Sequence, residues 1–201
     1  MSADSRVDAI LDYWLGECGD APPGPDARTR WFSANPEVDE EIRQRFGALV
    51  DAALAGELDA WGSAGGRERV ALVILLDQFT RNLFRGDGRS YAGDPAALAL
   101  TKATSAAEQA ALHPLERYFL LIPWEHSEDL SDQEAGVEAF RRAAQEAPPA
   151  FTAFVSEAGD FAERHRVVIE RFGRFPRRNA ALGRTCTPEE EAYLAENPDG
   201  F

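Results

Sequence analysis

The sequence predicts an all-α protein, built as a compact array of about eight antiparallel helices. Strand signals are almost absent, because no run of alternating β-branched residues bounded by turn residues occurs in the 201 residues. Apolar residues instead recur at helical spacing throughout, and proline or glycine separates successive segments by short connections. We expect a single domain over residues 1–201, since a chain of this length can bury one sizeable core.

The first helices are predicted from apolar stripes and their caps. A stripe over residues 9–14 indicates the first helix, which Gly16 closes, and a proline- and glycine-rich loop over 19–26 follows. Residues 28–32 are expected to form a short helical turn. Asn35 then caps a helix that has proline at its first position and ends at Gly56, and 62–66 is expected to be a flexible joint.

The clearest helix is predicted over about residues 67–85, where Leu72, Leu75, Leu76, Phe79 and Leu83 form a buried stripe. The later segments are marked by proline at a first position, by capping boxes or by a closing glycine. Asp94-Pro95 begins a predicted helix at 94–111, and a helix at 115–122 is interrupted by Pro123. A Ser131–Glu134 capping box begins the helix at 131–146, and a long helix from Pro149 to Phe172 ends at Gly173. The last helix, 187–196, begins with a Thr187–Glu190 capping box.

Charge, hydropathy and the absence of sequence motifs disfavour several classes of function for this protein. A net charge of −14 disfavours non-specific binding to nucleic acid or to an anionic membrane surface, and the apolar runs fall far short of a membrane span. The N-terminus reads as the first helix and not as an export signal. Cys18 and Cys186 lie too far apart for a metal or disulfide motif, which suits a reducing cytoplasm. Since no P-loop, no strand-anchored dinucleotide motif and no CxxC pair occurs, we expect no cofactor.

The segment 164–184 is the most unusual in charge. It holds seven arginines and a single acidic residue, a net charge of +6, whereas the other 180 residues carry −20. Such a cluster requires either many carboxylate partners or an anionic ligand, because a guanidinium grips carboxylate or phosphate through two parallel hydrogen bonds. Arg174, Arg178 and Asn179 are the ligand-binding candidates in this segment, and Asn179 adds an amide that can orient a polar ligand.

A second candidate lies on the helix at 67–85. Polar side chains this dense on a largely apolar helix need partners, either in an internal network or at a ligand pocket. Asp77 and Arg81 are interpreted as a structural i,i+4 pair. Gln78, Asn82 and Arg85 share a neighbouring face and are the better pocket candidates.

The third candidate follows Pro123, where His126 and Glu128 lie two residues apart. A histidine beside a carboxylate can transfer protons near neutral pH, so His126 and His165 are the candidate acid–base pair, oriented by Glu128. His165 also shares a face with Val168, Ile169 and Phe172, and a lone histidine on such a face is more often a hydrogen-bonded core residue than a ligand. No HExxH motif is present, and we expect no metal.

Three blocks in order resemble a bacterial family known as domain of unknown function 924: LLDQFTRNLFRG at 75–86, ERYFLLIPWEHSEDLSDQ at 116–133 and HRVVIERFGRFPRRNAALGR at 165–184. The resemblance covers nearly the whole chain and implies a compact all-α fold similar to tetratricopeptide repeats. It carries no established activity. Thr80 stands where the family pattern has proline, and Arg178 where it has histidine, which weakens any mechanism that needs a histidine there. The recurring polar positions fall on Asp77, Gln78, Arg81, Asn82, Arg85, His126, Ser127, Glu128, Gln133, His165, Arg174, Arg178 and Asn179.

We therefore expect the three blocks to converge into one cationic polar pocket that binds a small anionic ligand, either a carboxylate or a phosphate, with acid–base catalysis as an extension. The alternative is a tetratricopeptide-like adaptor whose groove binds an acidic peptide. A third interpretation is a purely structural network with every arginine paired and no cavity. Shape separates them, because a closed pocket favours a metabolite and an open groove favours a peptide. The predicted ligand-binding residues are Gln78, Arg81, Asn82, Arg85, Arg174, Arg178 and Asn179.

Overall fold

A computed structural model describes residues 4–198, and every regular element in that range is helical, which confirms the all-α prediction. The likeness to tetratricopeptide repeats stays a prediction. The α-helical segments are α1 (Ser5–Leu15), α2 (Pro25–Phe32), α3 (Pro36–Leu54), α4 (Asp59–Ala64), α5 (Gly66–Val73), α6 (Thr80–Leu83), α7 (Asp94–Ala103), α8 (Ala106–Ala110), α9 (Pro114–His126), α10 (Leu130–Glu146), α11 (Pro149–Phe172) and α12 (Pro188–Glu196).

Local capping signals place several helix ends where the sequence predicts them. The Asn35 side chain accepts hydrogen bonds from the first backbone amides of α3, at 3.0 Å from Glu37 N. Gly173 ends α11 in the left-handed conformation, with φ of 65°, which an L side chain rarely adopts. Thr187 and Glu190 form the capping box that begins α12. Each of these ends depends on residues within one turn.

Pro123 does not interrupt its helix, contrary to the prediction, and α9 continues to His126. A proline inside a helix removes one backbone hydrogen bond, so the last turn needs support from elsewhere. Gln133 of α10 supplies part of it, because its side-chain amide donates to the carbonyls of Glu125 at 2.8 Å and Ser127 at 2.6 Å. The turn beyond the proline is therefore fixed by tertiary contacts.

Three other predicted boundaries also change. The expected joint at 62–66 is partly helical, since Gly62 lies buried in α4. The helix predicted over 94–111 divides into α7 and α8, because Ser105 forms a capping box of its own. Asp129, and not Ser131, caps α10 by accepting from the first backbone amides of that helix. Aspartate and serine side chains can both cap a helix, and here the Asp129 carboxylate, and not the Ser131 hydroxyl, accepts from the backbone amides.

The predicted helix at 67–85 is not uniformly α-helical. A π-helix, Ile74–Phe79, joins α5 to α6, and all six of its residues are buried. A π turn holds one more residue per turn than an α turn, and such turns occur frequently at functional sites. In this chain it contains Asp77 and Gln78, so the polar positions lie at a turn whose geometry helical periodicity does not predict.

The main core surrounds α9. This helix packs against α5, α7, α10 and α11, and its residues Phe119, Leu120 and Leu121 are fully buried. A smaller cluster of Val168, Ile169 and Phe175 lies at the end of α11. Among residues 4–198, none of the helices combines the length and apolar character that crossing a bilayer requires. The packing of the core around α9 therefore fixes the position of this helix.

Candidate functional site

Four helical segments line a cavity of about 600 Å³ that is partly open to solvent. The lining residues of the π-helix with α6, of α9 and of α11 recur mainly at three- or four-residue intervals and so lie on one side of each helix, whereas those of α2 are nearly consecutive. The π-helix and α6 with the turn after it contribute Gln78, Arg81, Asn82 and Arg85. The lining residues of α9 are Tyr118, Ile122, Glu125 and His126, those of α11 are Phe154, Glu157, Ala158, Phe161 and His165, and those of α2 and the residue after it are Arg28, Thr29, Trp31, Phe32 and Ser33.

The first wall of the cavity is a hydrogen-bonded polar surface. Asp39 of α3 accepts from Arg85 at 2.5 and 2.9 Å and from the Asn82 amide at 2.7 Å. Arg81 binds both carboxylate oxygens of Asp94, at 2.8 and 3.0 Å. Each arginine on this wall therefore has a carboxylate behind it, which holds the guanidinium in place and balances its charge.

At the end of α9, His126 and Asp77 form a buried pair. His126 Nδ1 lies 2.6 Å from Asp77 Oδ2, and the Gln78 amide donates to the other carboxylate oxygen at 2.5 Å. Burial raises the pKa of Asp77, but Arg81 and His126 outweigh it and the pKa falls below its ordinary value. Since an ionised carboxylate only accepts, the proton of the neutral His126 ring lies on Nδ1 and Nε2 carries the lone pair.

Glu125 and His165 line the same cavity, and their pKa values are shifted in opposite directions. Burial and the nearby Asp77 charge raise the pKa of Glu125 well above its usual range, which favours the protonated acid. Burial and the neighbouring His126 lower the pKa of His165 to about 3. His165 Nδ1 lies 3.7 Å from Glu125 Oε2 and donates to the Phe161 carbonyl at 2.8 Å. The cavity therefore brings together a carboxyl group whose pKa is raised and two imidazoles whose pKa values are lowered.

The lining residues of α2, α9 and α11 include several aromatic side chains. Trp31 and Tyr118 stack with ring centroids 6.5 Å apart, and Tyr118 contacts Phe154 at 5.1 Å. Phe32 and Phe161, which also line the cavity, are 59% and 43% exposed. Large apolar side chains left this accessible around a cavity mark a surface that a ligand can cover. The site thus combines a polar surface with a largely aromatic one, in which Arg28 and Glu157 form an ion pair at 2.7 Å.

The structure places Arg174 and Asn179 outside the cavity lining. Arg174 binds Glu190 of α12 through Nε at 2.6 Å and Nη2 at 2.8 Å, and Asn179 Nδ2 lies 3.3 Å from the same carboxylate. Arg171 donates to Glu189 of α12 through Nε alone, at 2.9 Å. The arginine-rich segment therefore joins α12 to the end of α11, with carboxylates as its partners.

Arg178 and Glu128 lie behind the cavity and support it. Arg178 donates to Asp94 at 3.2 Å and to the His126 carbonyl at 2.9 Å, so it fixes the end of α9 without lining the cavity. Glu128 binds Arg184 at 2.7 and 3.0 Å and accepts from the Phe175 amide at 2.8 Å. Asp77 and Glu125 are the carboxyl groups near the two histidines, and the predicted orienting role of Glu128 is taken by Asp77.

Of the ten predicted site residues, six come together at the cavity: Gln78, Arg81, Asn82, Arg85, His126 and His165. Sequence reasoning missed Glu125 and the faces of α2 and α11. The spacing of 154, 157, 158, 161 and 165 marks one face of α11 and could have indicated it. Within residues 4–198 no group of three His, Cys, Asp or Glu side chains is arranged to hold a metal ion.

Because His126 and His165 are both kept neutral, we expect the free energy of unfolding to fall as pH falls below 6.5. The unfolded chain takes up protons at the ordinary histidine pKa of about 6.5, whereas the folded His165 does so only near 3. Their stability contribution is therefore complete above pH 6.5 and is lost toward acid, by up to about 1.4 kcal/mol per pH unit for each histidine. Urea unfolding at several pH values measures this slope.

Glu125, with its raised pKa, changes the free energy of unfolding with pH in the opposite direction above its unfolded pKa of about 4.5. A comparison of the wild type with His165→Gln removes this contribution, because both proteins contain Glu125, and so isolates the effect of one histidine. The variant should lose stability less steeply than the wild type between pH 6.5 and 5. Parallel curves for the two proteins would contradict a neutral buried His165. The charged and titratable groups near the two histidines are Asp77, Arg81, Asp94, Glu125 and Arg178.

Comparison with known proteins gives two matches. The model of a family described as bacterial proteins of unknown function (DUF924) matches residues 10–198. The solved structure of a protein of unknown function from Agrobacterium tumefaciens is similar, with a TM-score of 0.79 and 34% sequence identity, and the alignment covers 96% of this chain and 98% of that one. A comparison with curated proteins finds no match.

Proposed function

The chain belongs to the bacterial family of unknown function DUF924, and we propose that its cavity binds a small metabolite with one carboxylate and an apolar or aromatic portion. The observation that carries this proposal is the two-sided lining, in which Gln78, Asn82 and Arg85 face an aromatic surface across about 600 Å³. Binding sites for small molecules have this combination of a few oriented polar groups and a mostly apolar wall.

Charge favours a single carboxylate over a phosphate dianion. The three arginines of the lining are each held by a carboxylate: Arg28 by Glu157 at 2.7 Å, Arg81 by Asp94 and Arg85 by Asp39. A dianionic ligand would compete with these protein carboxylates for the arginines. A ligand with a single carboxylate needs only one N–H donor that the protein carboxylates do not already use. Asp39 engages Nε and Nη2 of Arg85, so Nη1 remains to donate to a ligand.

The polar wall also offers acceptors. Among residues 4–198 no donor reaches Gln78 Oε1 or Asn82 Oδ1, because both side chains use their amide nitrogens toward Asp77 and Asp39. A ligand with a hydroxyl or amine near its carboxylate would donate to these oxygens, which keep some access to solvent in the cavity. The cavity volume lies in the range of small-molecule pockets, which favours a metabolite over an acidic peptide as the occupant.

A thermal-shift screen with carboxylates, phosphomonoesters and acidic peptides tests this proposal. We expect aliphatic and aromatic monocarboxylates to raise the melting temperature of the wild type, since a ligand that binds only the folded state stabilises it by mass action. The substitution Arg85→Gln should abolish the shift, because it removes the donor on the polar wall.

Arg174→Gln is the matched control. Arg174, like Arg85, binds one carboxylate through Nε and Nη2, but its partner Glu190 lies outside the cavity. This variant should keep the full ligand-induced shift even where its own melting temperature is lower. A larger shift with phosphomonoesters or with acidic peptides would overturn the assignment of the ligand, and no shift with any compound would overturn the proposed pocket.

A further inference from the structure

One group in the cavity has no role in binding a carboxylate. Glu125 is only 7% exposed, and within residues 4–198 no hydrogen-bond donor reaches its carboxyl group, the nearest histidine nitrogen being 3.7 Å away. Its carboxyl oxygens nevertheless keep some access to solvent, so the group is available to a ligand in the cavity. In its protonated form such a group can donate a hydrogen bond or a proton to a ligand.

His126, the next residue in the sequence, is placed to accept a proton. Asp77 fixes the ring of His126 through Nδ1 at 2.6 Å, and among the described residues nothing bonds to Nε2, although His126 lines the cavity. A carboxylate that holds one ring nitrogen and leaves the other to the substrate is the arrangement of a histidine base. Burial, followed by Arg81, lowers the pKa of His126, so the ring is neutral and able to accept a proton.

We propose that the cavity catalyses proton transfer on an oxo carboxylate, with His126 as the general base, Glu125 as the general acid and Asp77 as the residue that positions His126. Both catalytic groups lie at the last turn of α9 and line the same cavity. The inference rests on the proposed function, because the carboxylate of the substrate is held by Arg85 while its carbonyl group faces Glu125.

The reaction balances without any further reactant. His126 Nε2 removes a proton from the carbon next to the carbonyl group, and the C–H electron pair forms the new carbon–carbon double bond. The carbonyl π pair moves to oxygen, which takes the proton of Glu125. The products are an enol, a histidine cation and a carboxylate. In the reverse step the histidine cation returns a proton to carbon and the enol hydroxyl returns its proton to Glu125, which restores all three groups. An acid and a base whose pKa values are pushed apart are suited to this exchange.

Deuterium exchange with phenylpyruvate as the probe tests the inference. In heavy water the protein should accelerate the incorporation of deuterium next to the carbonyl group, as followed by proton NMR. Glu125→Gln and His126→Gln should each reduce the rate at least about a hundredfold, which is typical of losing a general acid or base. Glutamine has the size of a protonated glutamate, so Glu125→Gln should still fold and still show the thermal shift with the probe.

Glu116→Gln serves as the control, because Glu116 is a buried glutamate of the same helix that pairs with Arg67 away from the cavity. It should exchange at the wild-type rate. A thermal shift with phenylpyruvate but no accelerated exchange, or exchange that survives both substitutions, would overturn the inference and leave the proposed function standing. No thermal shift with any carboxylate would overturn the proposed function and the inference with it.

The positioning role of Asp77 has a separate test in the free protein. Long-range nitrogen–proton NMR at neutral pH should show a neutral His126 ring with its proton on Nδ1. In Asp77→Asn, whose amide can donate to the ring, the proton should move to Nε2 and the exchange rate should fall while the fold is retained. A cationic His126 ring in the wild type would contradict its assignment as the base.

Discussion

Replacing Asp77 by alanine is expected to lower the free energy of unfolding by about 3–5 kcal/mol, the cost of removing one partner of a buried ion pair. Asp77 is fully buried and accepts from Gln78 and His126, and its carboxylate lies 3.5 Å from Arg81 Nη1. The substitution would leave the Gln78 and His126 donors without their acceptor inside the core, whereas Arg81 would keep Asp94. Urea unfolding of the two proteins at neutral pH measures the difference.

Asp51→Ala is the control for this change, since Asp51 is an exposed aspartate on α3. Substitutions at such positions usually change stability by less than about 0.5 kcal/mol. If Asp77→Ala destabilised the protein no more than Asp51→Ala does, the pair with His126 would not be part of the folded structure, and the proton-transfer arrangement would fail with it.

Gly93→Ala is expected to cost more than about 3 kcal/mol, at the upper end of what overpacking a core produces. The reason is space alone, because φ of Gly93 is −86°, a value that any residue adopts. A Cβ at this position would lie 2.1 Å from the carbonyl oxygen of Leu76 and 2.8 Å from its carbonyl carbon. Both are backbone atoms of the buried π-helix and cannot move aside as a side chain would.

The matched substitution is Gly47→Ala, inside α3, where an added Cβ meets no atom within 4 Å. It should stabilise the protein by about 0.5–1 kcal/mol, because alanine is the better helix former. Thermal unfolding compares the two variants, and equal effects would show that the approach of Gly93 to Leu76 is not tight. Since the π-helix carries Asp77 and Gln78, a folded Gly93→Ala variant should also bind carboxylates more weakly.

The sequence by itself determined the all-α class and the helix ends that depend on neighbouring residues. Asn35, Gly173 and the Thr187 capping box act within one turn, so composition and spacing are sufficient to identify them. The same local periodicity placed Gln78, Asn82 and Arg85 on one face of a helix. It could not indicate the π turn, because an extra residue in a buried turn depends on what packs around it.

Only the tertiary structure decided which polar groups are partners. Asp77 meets His126 across 49 residues of sequence, and Arg174 binds Glu190, so two polar blocks that look alike in sequence differ in role. Glu125 carried no sequence signal, since a glutamate at the end of a helix is common on protein surfaces. Its distinguishing property is burial beside an aspartate and a histidine, and burial depends on the packing of α9, α11 and the π-helix around one cavity.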